Sequence, residues 1–237
     1  MGFSSLRLNR SAAAVALWLL ALALPVRALA FSPEHLNQVT FVNQTGYEIV
    51  YLFFSPSDSE YWGVDILGSE RTLDAGQKLT YLVYYADECN NFDFLAIDED
   101  GDAYTIWDVE LCDGTSRVMT VSLSDLAGPF GELDFASVEL RNSLMHRIDY
   151  LFVSPADSNS WGVDVLDART TLSPNQTVEI LVLRSALQEE YDLLAVDSDL
   201  DRYRFRFLID SSQHFVYDIE YSDMVRPEEE VTAALDR

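Results

Sequence analysis

Ser55-Pro56-Ser57-Asp58-Ser59-Glu60-Tyr61-Trp62-Gly63-Val64-Asp65 returns 99 positions later as Ser154-Pro155-Ala156-Asp157-Ser158-Asn159-Ser160-Trp161-Gly162-Val163-Asp164. Upstream, Tyr51-Leu52-Phe53 is matched by Tyr150-Leu151-Phe152. At the same offset Val39–Tyr104 lies over Val138–Tyr203 without a gap, with 27 identities in 66 positions. Past Tyr104 the match resumes one residue short, so that Ser124-Asp125 meets Ser222-Asp223. A gapless match of that length is a duplication, and two copies are too few for a solenoid. Each copy is therefore expected to carry its own core. The expected layout is a first domain at 38–127, a second at 136–224, and a boundary in Ala127-Gly128-Pro129-Phe130-Gly131.

Within a copy the local pattern is β. Val39–Asn43, Glu48–Phe54, Lys78–Tyr85, Phe92–Asp98, Ala103–Glu110 and Arg117–Leu123 are rich in Val, Ile, Tyr, Phe and Thr, with turn residues between them. Arg202-Tyr203-Arg204-Phe205-Arg206-Phe207 alternates strictly, the period of a strand with one wet face. No segment of the repeats has a sustained helical period; only Glu228–Leu235 in the tail does. Six short strands per copy predict an all-β protein of two tandem antiparallel β-sandwich (Ig-like) domains, with barrel closure as the alternative.

Residues 1–30 read as an address. Arg7 and Arg10 precede the apolar run Ser11–Leu24, and Ala28-Leu29-Ala30 supplies small residues before Phe31, as in a cleaved secretory signal peptide. The run is shorter than the roughly 20 residues a membrane-spanning helix needs. The whole chain of 237 residues has 15 Lys+Arg against 40 Asp+Glu, net −25. Removing Arg7, Arg10 and Arg27 leaves 12 basic and 40 acidic residues, so the mature chain stands at −28. That excess disfavours nucleic acid and anionic membrane surfaces, which need clustered cations. At 49% hydrophobic residues the chain can bury a core, so disorder is excluded. An exported chain with no membrane insertion, periplasmic or secreted, is the expectation. An acidic, lysine-poor surface also suits a salty medium. The C-terminal stretch 225–237, with Glu228-Glu229-Glu230, reads as a solvated acidic tail.

The only two cysteines, Cys89 and Cys112, both lie in the first copy and have no cysteine counterparts in the second. Their residue numbers sum to 201, as do those of Asp100 and Gly101 in an Asp-Gly turn. Folding a hairpin about that turn sets the thiols opposite one another, and an oxidising compartment allows a disulfide.

Four kinds of site candidate follow. The strings Asp98/Asp100/Asp102 and Asp197/Asp199/Asp201 alternate carboxylates across a turn, which is either a Ca²⁺ site or a solvated hairpin tip. Calcium is the only cofactor the sequence suggests. The arginines of 202–206 form an anion-binding face or pair internally, with Asp197 expected across from Arg202. Trp62 and Trp161 are either ligand platforms, for a sugar ring or partner surface, or structural cornerstones. In the structural version Pro56 ends a strand, Asp58 or Ser59 caps a turn, and Trp62 plugs the sandwich end. Asn43 and Asn175 head Asn-Gln-Thr sequons. His35, His146 and His214 occupy unmatched positions, and G-x-S-x-G, H-E-x-x-H and P-loop patterns are absent. No catalytic residue is predicted.

With Asn43-x-Thr45-Gly46-Tyr47 before the Ser-Pro…Trp-Gly-x-Asp-x-Leu block, and a Cys, an acidic Asp-Gly turn and a second Cys after it, the first copy resembles a group of small exported bacterial β-domains. The second copy keeps the middle of that pattern and lacks the Thr-Gly, the turn Gly and both cysteines. The resemblance implies export and β-structure and carries over no functional residue. The function expected is a non-catalytic binding or structural module of the envelope or extracellular space, with an envelope protein or glycan as partner. Ca²⁺-dependent adhesion or glycan binding is the first alternative and a secreted hydrolase the second.

Overall fold

Every segment expected as a strand is one, in a computed structural model that describes residues 31–85, 89–112, 114–186 and 188–226. The address 1–30 and the tail from 227 lie outside the described residues. The first repeat runs β1 (Asn37–Gln44), β2 (Ile49–Pro56), β3 (Val64–Asp65), β4 (Lys78–Tyr84), β5 (Cys89–Asp98), β6 (Asp102–Cys112), β7 (Ser116–Ser122) and β8 (Leu126–Pro129). The second runs β9 (Phe135–Asn142), β10 (Ile148–Pro155), β11 (Gly162–Val163), β12 (Thr177–Leu183), β13 (Glu189–Asp197), β14 (Arg202–Ile209) and β15 (His214–Ile219). The only helical pieces described are single 3₁₀ turns.

Four sheets result, in the orders β11-β4-β1-β7, β2-β5-β6-β8, β15-β9-β12-β3 and β10-β13-β14. The first pair encloses one core, around Phe41, Phe54, Tyr81 and Phe94; the second encloses another, around Val138, Leu151, Tyr191 and Phe207. The fold is thus a β-sandwich architecture. It is not wholly antiparallel, because β7 joins β1 and β15 joins β9 in parallel. Those closing strands reach the sheet by crossing over from the other layer, and a crossover leaves a strand parallel to its neighbour.

Each repeat completes its sheet with a strand of the other. β11 of the second repeat pairs with β4 of the first (Gly162↔Tyr84, Val163↔Val83), and β3 of the first pairs with β12 of the second (Val64↔Val182, Asp65↔Leu181). Val163, 4% exposed, sits in the first repeat's core, and Val64 sits in the second's. The two repeats fall within one compact unit, Phe31–Val225. Two further apolar clusters lie between them: Phe53, Leu95, Ile97 and Ala103 with Leu183 and Phe135, and Tyr84 with Phe152, Leu194 and Val196. These clusters explain why β2 and β10 are apolar on both faces, as in Leu52-Phe53-Phe54, where an ordinary outer strand would alternate. The stretch expected as a boundary is partly a strand as well. β8 pairs with β6 through Asp102↔Pro129 and Ala103↔Gly128, so only a few residues around 131–134 connect the repeats.

Candidate functional site

The duplicated block is the fastening between the repeats, and its geometry accounts for its near-identity. After β2 ends at Pro56, the Asp58 carboxylate accepts the Ser158 hydroxyl (2.8 Å) and the Asn159 N–H (3.2 Å) of the other repeat. Asp157 accepts the Ser59 hydroxyl (2.9 Å) and the Glu60 N–H (2.9 Å) in return. Of the two residues expected as the local cap, Ser59 takes that role, its hydroxyl accepting the Tyr61 N–H (3.0 Å), while Asp58, like Asp157, bonds across to the other repeat. A two-fold contact places each residue against the partner's copy of the same segment, so both copies must keep both halves. Gly63 and Gly162 follow with φ of +76° and +73°, a left-handed turn that favours glycine. Beyond them, Leu183 N–H bonds to Gly63 O (3.1 Å) and Asp164 N–H to Leu82 O (2.8 Å), backbone bonds that cross between repeats. Arg71 adds an ion pair to Asp167 at 2.8 Å.

Asp65 and Asp164 close the block, and both are buried. Asp65 Oδ1 accepts the N–H groups of Leu52 and Leu67; Asp164 Oδ1 accepts those of Leu151 and Leu166. The second carboxylate oxygen of each has no partner. Burial opposes ionisation and pushes Asp65 up to about 7 and Asp164 to about 8. Arg71 tempers the shift at Asp65, whereas Asp167 adds to it at Asp164.

The tryptophans occupy unlike settings. Trp62 packs into the inter-repeat cluster with Tyr51, Phe130 and Phe135, and its ring lies 5.3 Å from that of Trp107, which is 58% exposed. Trp62 is therefore not a plug in the sandwich end, and Trp107 is the aromatic that sequence reasoning passed over. Its prominence comes from a bulge. Partners across β5–β6 sum to 200 from Ile97↔Ala103 to Phe94↔Ile106 and to 201 from Phe92↔Val109 to Cys89↔Cys112. The extra residue falls at Trp107-Asp108, where Asp108 has φ +55° and its N–H donates to the Asp93 carboxylate (2.9 Å). In the second repeat β13–β14 runs without a step, and this is the residue missing from the repeat alignment. There Arg206 stands opposite Asp192 and pairs with it (Nε–Oδ1 2.7 Å), Arg204 joins the same carboxylate (3.0 Å), and the Arg204 guanidinium lies 5.0 Å over the Trp161 ring. The two arginines hold Asp192 below the usual carboxylate range despite its burial. Arg204 and Arg206 are thus internally paired, through Asp192 rather than Asp197.

Asp197 instead accepts the N–H groups of Asp199 and Asp201 and the Tyr203 hydroxyl (3.0 Å). Asp98 does the same with Asp100, Asp102 and Tyr104. Both lead aspartates are buried turn organisers, and among the described residues no group of three or more His, Cys, Asp or Glu is arranged to hold a metal. Asp100, Asp102, Asp199 and Asp201 lie at or beside the hairpin tips. Cys89 and Cys112 are directly opposed and form the disulfide. Asn43 is fully buried, its amide donating to Tyr47 O and Leu73 O (both 2.7 Å), a role Asn142 repeats with His146 O and Leu172 O. Asn175 is exposed in a turn. Among the described residues no helix is long and apolar enough to cross a membrane.

No protein-family model matches the chain. No curated protein matches it either. Among solved structures, a CBM26 module of Amy13K from Eubacterium rectale, in complex with maltoheptaose, is similar at 12% identity, covering 77% of this chain and 90% of its own, with a TM-score of 0.24. A DUF3823 family protein from Bacteroides ovatus is similar at 11% identity over 75% of this chain and 98% of its own, with a TM-score of 0.17.

Proposed function

We propose that this protein is an exported, non-catalytic binding module that presents the Trp62–Trp107 pair to carbohydrate. The observation that carries the reading is the exposed Trp107 indole, set out by a bulge and backed at 5.3 Å by a second indole fixed beside the fastening. Trp62 is held from behind as well, its carbonyl accepting the Ser55 hydroxyl. Sugar rings offer C–H faces that stack on aromatic planes, and a rigid aromatic platform gives up little conformational entropy on binding. The second repeat has covered its equivalent ring with Arg204, so one platform per chain is the expectation. A periplasmic or extracellular address accords with the disulfide.

Calorimetric and tryptophan-fluorescence titration with maltoheptaose, cellohexaose and chitohexaose tests this. At least one sugar should bind and perturb the indole emission, and W107A should weaken binding roughly tenfold or more, an aromatic contact being worth about 1–3 kcal/mol. No binding across the panel, or equal binding by W107A, contradicts the reading.

A further inference from the structure

The orphaned carboxylates of Asp65 and Asp164 sit in the two exchanged segments, one on each side of the fastening. Neither serves the tryptophan platform, and an aspartate kept twice in a buried position with half its hydrogen-bonding capacity unused calls for a reason. Opening either segment would expose its carboxyl to water, where it ionises freely; closing it would return the carboxyl to a site that favours the neutral acid. We propose that the exchanged strands are a proton-dependent fastening: the repeats are clasped while both aspartates are protonated and loosen as they ionise.

The surroundings set the order of release. Asp65 faces Arg71 on its own turn, with Tyr81 of β4 and, through Arg71, Asp167 of the other repeat; the guanidinium favours its anion. Asp164 faces Asp167 on its own turn and Tyr150 of β10, with no cation among the described residues moderating its shift as Arg71 does for Asp65. Asp65 should therefore ionise first as pH rises, and Asp164 after it. Both pKa values are raised on folding, from 3.8 to about 7 and about 8. The stabilisation they provide is thus complete below about pH 4, falls steadily as pH rises above it, and is fully lost once pH has climbed through 7 and 8.

Two measurements on the full chain test this. With ¹³C-labelled aspartate side chains, two carboxyl resonances should titrate near neutral pH and be absent from spectra of D65N and D164N respectively. By hydrogen exchange, protection of the Asp164 and Leu183 amides, whose bonds cross between repeats, should fall roughly tenfold per pH unit between about 5 and 7, because each opening then releases a proton. In D65N/D164N the fall should vanish, the amide keeping the Oδ1 acceptor without the charge. Should the double variant fail to fold, D164N alone still decides, with the slope reduced and only the Asp65 resonance left. Both carboxyls titrating below pH 5, or a wild-type slope unchanged in the variants, would overturn the proposal.

Discussion

The two repeats match residue for residue over most of their length and differ most on the same hairpin. In the first, β5–β6 carries a bulge, a disulfide at its open end and an exposed Trp107 against Trp62. In the second, β13–β14 has no bulge and no cysteines, Arg204 and Arg206 pair with Asp192, and the Arg204 guanidinium lies over Trp161. What differs least is the block that crosses between them. Deleting one residue removes a local kink that only its own sheet feels, whereas a change in the reciprocal segment is felt at once by the other repeat. Constraint in this molecule follows where a segment is used, not where it is encoded.

The sharpest break of the comparison is a charge at Val163. This residue belongs to the second repeat's sequence and the first repeat's core, so V163D should cost roughly 4 kcal/mol or more, the burden of an unpaired buried charge, and disturb first-repeat resonances before second-repeat ones. Heteronuclear NMR with urea titration reads both. Next in size is the disulfide: it closes a loop of sequence separation 23, so C89A/C112A should lose about 3 kcal/mol in chemical denaturation, with chemical-shift changes confined to the first repeat's hairpin. D58A and D157A should each cost about 1 kcal/mol and agree within a few tenths, because their bonding is reciprocal. Unequal losses would show that the pseudo-symmetry is only geometric. Smallest is R204A, about 0.5–1 kcal/mol by thermal unfolding, since it removes one cation over an indole and one partner of Asp192. Its interest lies in ligand binding, because uncovering Trp161 should create a second, weaker sugar platform.

Much of this fold was legible in the chain itself. Periodicity and β-branched residues marked six strands per repeat, and the residue-number symmetry of Cys89 and Cys112 about the Asp-Gly turn located the disulfide. The symmetry there was right at the cysteines and one residue out at the tip, since the bulge shifts the register midway. The exchanged strands could not be read off: β3 and β11 are two residues each, too short to show any period. Yet a signal was present in Leu52-Phe53-Phe54 and Leu151-Phe152-Val153, apolar on both faces where an independent sandwich would keep one face wet. The tip strings left two readings open for a chemical reason. A carboxylate that organises a tight turn and one that takes a cation have the same spacing, and the turn role of Asp98 and Asp197 shows only in the Tyr104 and Tyr203 hydroxyls they accept, six residues on. Trp107 escaped notice because its exposure depends on a bulge, whose one signal was the single-residue gap between the copies past Tyr104.

Reciprocal exchange is tested most directly by cross-strand NOEs in the uniformly labelled full chain at a concentration where it is monomeric. Backbone contacts are expected between Val163 and Val83 and between Val64 and Val182, within one molecule. Their absence, with Val64 and Val163 instead contacting only strands of their own repeats, would contradict it.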